Sequence, residues 1–275
     1  MLSRRAFSLS ALGGLLAMPR AGSAETQEQS SPSGGHSSSA DGHDMSAFPE
    51  KWKGNEKIVF LGYPGMTALD LVGPQYMLAS LWGAEVKVAA KTLDPLPTDT
   101  GLTIVPDVTF DEAAAAPDII CVPGAVSGAL DAMEDKETIE FLRDRGQKAR
   151  YVTSVCTGTL LLGKAGLVDG YEVTSHWFTR PLMTEFGAIP VDRRVVRDRN
   201  RITGAGVTAG IDFGLMLVGE LRDETYAQSV QLLAEYAPEP PFDAGTEATA
   251  PPVVVKMMRD MFVGLPERIK ALAAN

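Results

Sequence analysis

The chain has 275 residues, of which 45 % are hydrophobic and 22 % charged, a balance typical of a globular protein with a sizeable core. Its formal net charge is −10. This charge argues against a nucleic-acid partner, because phosphate binding needs a concentrated basic surface. The most arginine-rich stretch, residues 191–201, interleaves its arginines with aspartates and is typical of a solvated hairpin.

The N-terminus has the layout of a twin-arginine export signal. Arg4 and Arg5 precede a short apolar stretch that ends in small residues near Ala24. The sequence therefore predicts a signal peptide over residues 1–24 and a periplasmic or secreted protein. The apolar stretch is short and glycine-rich, so we expect no stable membrane insertion after signal cleavage. Residues 25–50 are rich in Ser and Gly and predict a disordered linker, which leaves one domain over residues 51–275.

The elements of this domain alternate between apolar strands and amphipathic helices. Apolar runs and alternating patterns predict strands, and apolar residues at helical spacing predict helices. Two segments depart from this alternation: a short excursion at a sheet edge over 102–110 and a hairpin over 193–206. The predicted strands are 57–63, 84–91, 117–125, 150–155 and 171–177; the predicted helices are 68–83, 127–149 (one helix or two), 157–167, 178–188, 210–222, 224–237 and 251–275.

This order predicts an α/β fold with a mainly parallel sheet and helices on both faces. Active sites in open parallel sheets lie at the carboxyl ends of the strands. The residues that follow the predicted strands are therefore the candidates for a site: 62–70, 123–125, 156–157 and 176.

Cys156 is the main candidate nucleophile. The motif "SVCTG" places it between a strand and a helix, in the strand-turn-helix arrangement of a nucleophile elbow. Amides at a helix N-terminus stabilise a thiolate, so this position predicts a lowered pKa of the thiol and a reactive sulfur. A buried, inert cysteine at a strand end fits the spacing equally well. Cys121, the other cysteine, lies inside an apolar strand, which argues against a disulfide between the two.

Five further positions are candidates for helping this cysteine. Asp70 is either a helix cap or a desolvated general acid or base. Thr157 either caps the following helix or donates a hydrogen bond to a reacting atom. The amides of Gly124 and Ala125 form a tight turn that serves as an anion-binding turn or only as a connection. His176 is either catalytic or a buried polar residue.

At these residues the chain resembles the ThiJ/PfpI superfamily, a branch of the class I glutamine amidotransferase-like fold. The resemblance rests on "LDLVGP" (69–74), "DIICVPGA" (118–125), "RYVTSVCTGTLLLGKAGLVDG" (150–170), "TSHW" (174–177), 194–215 and 230–245. Within the superfamily, the isonitrile hydratase (cyclohexyl-isocyanide hydratase) branch is the most similar. Two positions depart from the usual pattern: Ala125 replaces the second glycine of a Pro-Gly-Gly turn, and Ala205 replaces another glycine.

The resemblance implies a flavodoxin-like three-layer α/β/α sandwich, a homodimer, and no metal or organic cofactor. It also implies a cysteine-dependent hydratase that converts isonitriles to N-substituted formamides. Cys156 takes the place of the nucleophile, Asp70 that of the acid and base, and Thr157 that of a ligand-positioning residue. The alternative is an exported redox-responsive or small-molecule-binding protein without hydratase turnover.

Overall fold

The structure is a computed structural model that describes residues 48–274. The predicted signal peptide (1–24) and nearly all of the predicted linker (25–50) lie outside the described residues. Export therefore stays a prediction. Among residues 48–274, no helix has both the length and the apolar composition needed to cross a membrane.

The elements are numbered in chain order. The strands are β1 (Lys57–Leu61), β2 (Glu85–Ala90), β3 (Leu96–Pro97), β4 (Thr103–Ile104), β5 (Val108–Thr109), β6 (Ile119–Val122), β7 (Tyr151–Val155), β8 (Glu172–Val173), β9 (Ile189–Pro190), β10 (Val195–Asp198) and β11 (Arg201–Gly204). The helices are α1 (Ala68–Ala79), α2 (Ser127–Glu134), α3 (Lys136–Lys148), α4 (Gly158–Lys164), α5 (Ala209–Leu221), α6 (Glu224–Leu233), α7 (Pro252–Met261) and α8 (Leu265–Ala274).

The core of the described region is a seven-stranded sheet in the order β10-β11-β7-β6-β1-β2-β5. All neighbours pair in parallel except β10 and β11, which form the predicted antiparallel hairpin at one edge. Strands β6 and β7 are buried along their whole length, as expected for strands with helices on both faces. The predicted mainly parallel α/β fold is confirmed.

Helices cover both faces of the sheet and make it the middle of three layers. Helices α1, α5 and α6 pack together on one face, while α2, α3 and α4 pack together on the other. In α3, the buried residues Thr138, Ile139, Leu142 and Gly146 recur at helical spacing, and this stripe faces the core. Because β7, β6 and β1 are neighbouring parallel strands, their carboxyl ends lie side by side at one edge of the sheet.

The region between 171 and 190 differs from its prediction. Only Glu172–Val173 of the predicted strand 171–177 is extended, and it pairs with β9 outside the central sheet. The predicted helix 178–188 is a 3₁₀ segment over Arg180–Phe186, with Pro181 in its first turn and Gly187 ending it in the left-handed region. The C-terminal helical segment is divided into α7 and α8 by a break at 262–264.

Gly158 lets the start of α4 approach the end of β6. A Cβ atom at this position would lie 2.2 Å from the carbonyl oxygen of Val122 and 2.9 Å from that of Pro123. Both atoms belong to the backbone, so the clash is not relieved by a side-chain rotation. The residue pair Thr157-Gly158 is thereby held against the turn that follows β6.

We expect Gly158→Ala to lower the free energy of unfolding by about 1–3 kcal/mol or more, because overpacking against backbone forces α4 away from the sheet. Urea denaturation followed by circular dichroism measures this change. Gly219→Ala in α5 is the matched control, since its Cβ would meet the Ala227 side chain at 3.4 Å. The control is expected to keep stability or raise it by up to about 1 kcal/mol. Equal stability of Gly158→Ala and the unchanged protein would contradict the argument.

Candidate active site

Cys156 lies on a strained bend between β7 and α4. Its φ of 58° is in the left-handed region, which is uncommon for a residue with a side chain. Hydrogen bonds hold the bend on both sides: the Cys156 amide donates to the Gly204 carbonyl at 3.0 Å. The Cys156 carbonyl accepts from the Ser175 hydroxyl at 2.9 Å and from the His176 amide at 3.3 Å. Such over-determined strain is typical of functional sites, and it matches the predicted elbow.

Asp70 is a buried carboxyl rather than a helix cap. It lies in the first turn of α1 and has no solvent exposure. Its Oδ2 accepts a hydrogen bond of 2.9 Å from the Gly124 amide. Its Oδ1 is buried and has no hydrogen-bond partner among the described residues. One oxygen is thus fixed by the turn after β6, while the other remains available to hold or transfer a proton.

The structure brings the carboxyl of Asp70 to the thiol of Cys156. The two side chains interact closely enough that each shifts the pKa of the other. Burial raises the pKa of Asp70 to about 7, and the hydrogen bonds from Gly124 and Cys156 only partly oppose this shift. The nearby charge of Asp99 contributes to the same rise.

The predicted lowering of the thiol pKa is wrong for this structure. Burial raises the pKa of Cys156 well above its ordinary value, and the charge of Asp70 raises it further. The amide and hydroxyl of Thr157 act in the opposite direction but are outweighed. The helix amides predicted from the sequence are therefore present, yet the loss of solvation at a buried sulfur is the larger effect.

Thr157 and the turn after β6 bind each other. The Thr157 hydroxyl accepts from the Ala125 amide at 2.8 Å and donates to the Ala125 carbonyl. It does not cap α4. The Gly124 amide is already bonded to Asp70, so in this structure both turn amides donate to protein oxygens. The turn thus holds the two sides of the site in place, and its predicted anion-binding role stays a prediction.

Gly124 is required at its position by close contacts. A Cβ atom there would lie 2.6 Å from the Thr157 nitrogen and 2.9 Å from the Asp70 Oδ2. The turn therefore passes directly between the carboxyl of α1 and the start of α4. The methyl group of Ala125, which replaces a glycine of the family pattern, is accommodated and buried.

His176 is near the elbow through its backbone, while its ring packs against aromatic side chains. The ring centroid lies 5.6 Å from that of Trp177 and 6.1 Å from that of Phe262. Burial and the charge of Arg180 lower the pKa of His176, which favours the neutral imidazole. His176, Trp177 and Arg180 border a cavity of about 400 Å³, together with residues 192–194, 205–208 and 245–248. A catalytic role for the imidazole stays a prediction.

Sequence reasoning missed Tyr63, which lies beside the carboxyl–thiol pair. Its side chain is buried, and its hydroxyl donates to the Pro123 carbonyl at 2.8 Å. Burial raises the pKa of Tyr63, and the charges of Asp70 and Cys156 raise it further. A signal existed, because Tyr63 lies within the segment that follows β1, where site residues are expected.

Both cysteines are free thiols, in agreement with the argument against a disulfide. Cys121 is buried inside β6, and burial raises the pKa of its thiol to about 12. Within residues 48–274, no group of three or more His, Cys, Asp or Glu side chains is placed to hold a metal ion. The absence of a cofactor stays a prediction.

Comparisons with known proteins give relatives over most of the chain. Residues 56–220 match the model of the DJ-1/PfpI family. The isonitrile hydratase of Pseudomonas putida is 50 % identical over 203 residues, which cover 74 % of this chain and 88 % of the hydratase. The crystal structure of a ThiJ/PfpI family protein from Pseudomonas syringae is 51 % identical, with a TM-score of 0.81, covering 88 % of this chain and 99 % of that one.

A transcriptional regulator shares part of the fold. The HTH-type transcriptional regulator GbdR of Pseudomonas aeruginosa is 37 % identical over 121 residues. The match covers 43 % of this chain and 32 % of the regulator. The match thus covers less than half of the regulator, and the rest of the regulator lies outside the match.

The raised pKa of Asp70 predicts a pH-dependent loss of stability. The pKa rises from about 3.9 in the unfolded chain to about 7 in the fold. The stabilising contribution is therefore fully present below about pH 4 and is lost as the pH rises through about 7. Asp70→Asn removes the buried charge. We therefore expect the difference in free energy of unfolding between the variant and the unchanged protein to increase in favour of the variant from pH 5 to pH 8.5. The gain is on the order of 1–4 kcal/mol.

Urea denaturation of both proteins at the two pH values measures this difference. Asp94→Asn is the control, because Asp94 is exposed and bonds only locally to Thr92. A constant stability difference between Asp70→Asn and the unchanged protein across this range would show that Asp70 keeps an ordinary pKa.

Proposed function

Because a family model matches more than half of its length, this chain belongs to the DJ-1/PfpI family, and we propose that it is a cysteine-dependent hydratase of isonitriles. The product is the N-substituted formamide. One observation carries the proposal: a buried carboxyl whose pKa is about 7 contacts a cysteine on a strained elbow. The 50 % identity to the isonitrile hydratase of Pseudomonas putida supports the choice of substrate class.

The buried pair is suited to hold one proton between two sites. Burial opposes a charge on either group, but moving a proton from the Cys156 thiol to the Asp70 carboxylate leaves the total charge unchanged. The transfer forms a thiolate beside a carboxylic acid without charging the pocket further. The pKa values of Asp70 and Cys156 are therefore properties of the pair rather than of either residue. The catalytically productive state is the one in which the two side chains together hold a single proton.

An isonitrile needs both members of this pair. Its terminal carbon carries a lone pair and becomes electrophilic when it is protonated. Asp70 donates its proton to that carbon, and the Cys156 thiolate forms a carbon–sulfur bond to it. The product of this step is a thioimidate on Cys156, with Asp70 left as a carboxylate.

Water completes the reaction through the same carboxyl. Asp70 takes a proton from water as the hydroxide adds to the thioimidate carbon, and then returns this proton to the nitrogen. The hydroxyl proton of the adduct passes to Asp70 as the carbon–sulfur bond breaks and the C=O bond forms. The formamide leaves, and the one-proton pair is restored. Addition of water involves no net oxidation, so these residues suffice for the atom and proton balance.

In the proposed reaction, Gly124 and Thr157 hold Asp70 and Cys156 in place through hydrogen bonds. The Gly124 amide fixes one oxygen of Asp70, leaving Oδ1 to move protons. Thr157 holds the turn at Ala125 and directs its own amide toward the sulfur. Binding of the substrate would give Oδ1, which is buried and has no hydrogen-bond partner among the described residues, a proton acceptor.

We expect Cys156→Ala to abolish formation of the formamide from cyclohexyl isonitrile, because no carbon–sulfur bond forms. Asp70→Asn should lower kcat by about 10²–10⁴-fold, the usual contribution of general acid–base catalysis. Cys121→Ala is the matched control, since this thiol lies inside β6, and it should keep turnover. Product formation followed by chromatography measures all four proteins.

The alternative function has a distinct signature in the same assay. A folded protein with a titratable thiol and no turnover at high enzyme concentration would contradict the proposed reaction. Oxidation of Cys156 under mild peroxide, read by mass spectrometry, would then support a redox-responsive protein.

We also propose that two copies associate through α1. Leu69, Val72 and Tyr76 are exposed large apolar residues at positions i, i+3 and i+7, which place them on one face of the helix. Helix α1 also packs on α5, through Gly73, Pro74 and Met77. An apolar face of this kind is self-complementary in a two-fold dimer, which is the commonest oligomer.

We expect Val72→Glu to shift the protein from dimer to monomer, because each dimer would bury two unpaired carboxylates. Analytical ultracentrifugation measures the mass in solution. Leu233→Glu is the control: Leu233 is an exposed apolar residue at the end of α6, and its substitution should leave the mass unchanged. A monomeric unchanged protein, or a dimeric Val72→Glu, would exclude this interface.

A further inference from the structure

The β3–β4 hairpin is bound to the segment that leads from β1 into α1. The Gly65 amide donates to the Pro97 carbonyl at 2.7 Å, and the Asp99 amide donates to the Met66 carbonyl at 3.1 Å. The tip of the hairpin therefore lies beside the residues that precede Asp70. The sequence pattern by itself indicates no role for Asp99.

Thr67 links Asp99 to the start of α1. A threonine at this position normally caps the helix with its hydroxyl, but here the side chain makes no cap. The Thr67 hydroxyl instead donates to Asp99 Oδ2 at 2.6 Å. A usual helix-capping bond is thus replaced by a bond to an exposed carboxylate on another element.

The same segment is bonded to the turn that holds the acid. The Thr67 amide donates to the Gly124 carbonyl at 2.8 Å, and the Gly124 amide donates to Asp70 Oδ2 at 2.9 Å. Three hydrogen bonds therefore connect Asp99, through Thr67 and Gly124, to Asp70. A displacement of the hairpin tip would be transmitted to the carboxyl.

The electrostatic surroundings of Asp70 also single out Asp99. Asp99, Tyr63, Cys121 and Cys156 are titratable side chains that interact with Asp70. The last three are buried, and burial raises the pKa of each, which keeps them neutral in the unliganded site. Asp99 is exposed and is the carboxylate of this set that acts on Asp70 from outside.

We propose that Asp99 is a positioning residue for the general acid: it fixes Thr67 and the start of α1, and its negative charge favours the protonated form of Asp70. The inference rests on the proposed function for its kinetic consequence only. Like charges a short distance apart oppose ionisation of one another. The exposed hairpin thereby helps to keep a proton on a carboxyl that it does not touch.

The test compares Asp99→Asn with the unchanged protein. The substitution keeps an acceptor for the Thr67 hydroxyl and removes the charge. The pH titration of the Asp70 carboxyl is followed by ¹³C NMR with labelled aspartate, the signal being assigned by its loss in Asp70→Asn. The midpoint should move to lower pH by about 0.3–1 unit. The matched control is Asp94→Asn, which removes one exposed charge from the loop before β3 and should leave the midpoint unchanged.

Kinetics give a second readout with the same sign. On the acidic side of the pH profile, kcat/KM should rise with pH through the pKa of the pair; this rise is the acid limb. Asp99→Asn should shift the acid limb to lower pH by the same amount as it shifts the Asp70 midpoint. Thr67→Val, which keeps the charge and removes the hydroxyl, should lower kcat about 3–10-fold, because the start of α1 is no longer fixed. Its acid limb should shift less than that of Asp99→Asn.

The outcomes separate this inference from the proposed function. An unchanged Asp70 midpoint in folded Asp99→Asn would overturn the role of Asp99, whether or not isonitriles turn over. A shifted midpoint without turnover in any variant would support the role of Asp99 and contradict the hydratase. Equal shifts in Asp99→Asn and Asp94→Asn would overturn the inference, since they would reflect net charge alone.

Discussion

The contact between the buried carboxyl of Asp70 and the buried thiol of Cys156 is the constraint on which the rest of the site depends. Burial makes a charge on either group costly, and two charges together are costlier still. A single shared proton lowers this cost, since only one group is charged at a time. The fold must therefore hold the groups close together while leaving one carboxyl oxygen without a hydrogen-bond partner among residues 48–274.

The sheet supplies the rigidity that this contact needs. Cys156 follows β7 directly, and the turn after the neighbouring strand β6 reaches both sides of the site. Gly124 and Gly158 allow backbone to approach backbone at distances that no side chain would permit. Because β6 and β7 are buried and paired, the strained φ of Cys156 is held by long-range hydrogen bonds rather than by the bend itself.

The family fold by itself does not decide between catalysis and sensing, since part of it also occurs in a transcriptional regulator. The proposed hydratase activity is supported by the buried Asp70–Cys156 pair together with the 50 % identity to the isonitrile hydratase of Pseudomonas putida. An acid with a pKa near 7 is suited both to give and to take a proton at neutral pH. Because Cys156 is the weaker acid of the pair in the unliganded protein, passing its proton to Asp70 costs free energy, but the transfer leaves the total charge of the pocket unchanged.

The sequence by itself determined the chain order of β1, β2, β6 and β7 with the helices between them, and the position of Cys156 between a strand and a helix, although it wrongly added 171–177 to the strands of the sheet. These features follow from local periodicity and from the rule that parallel strands end together. Tertiary structure alone decided that Asp70 is desolvated, that Thr157 bonds to Ala125, that the thiol pKa rises, and that Asp99 acts on the acid. The physical reason is that solvation and Coulomb interactions depend on which distant segments surround a group, whereas a local pattern records only its neighbours along the chain.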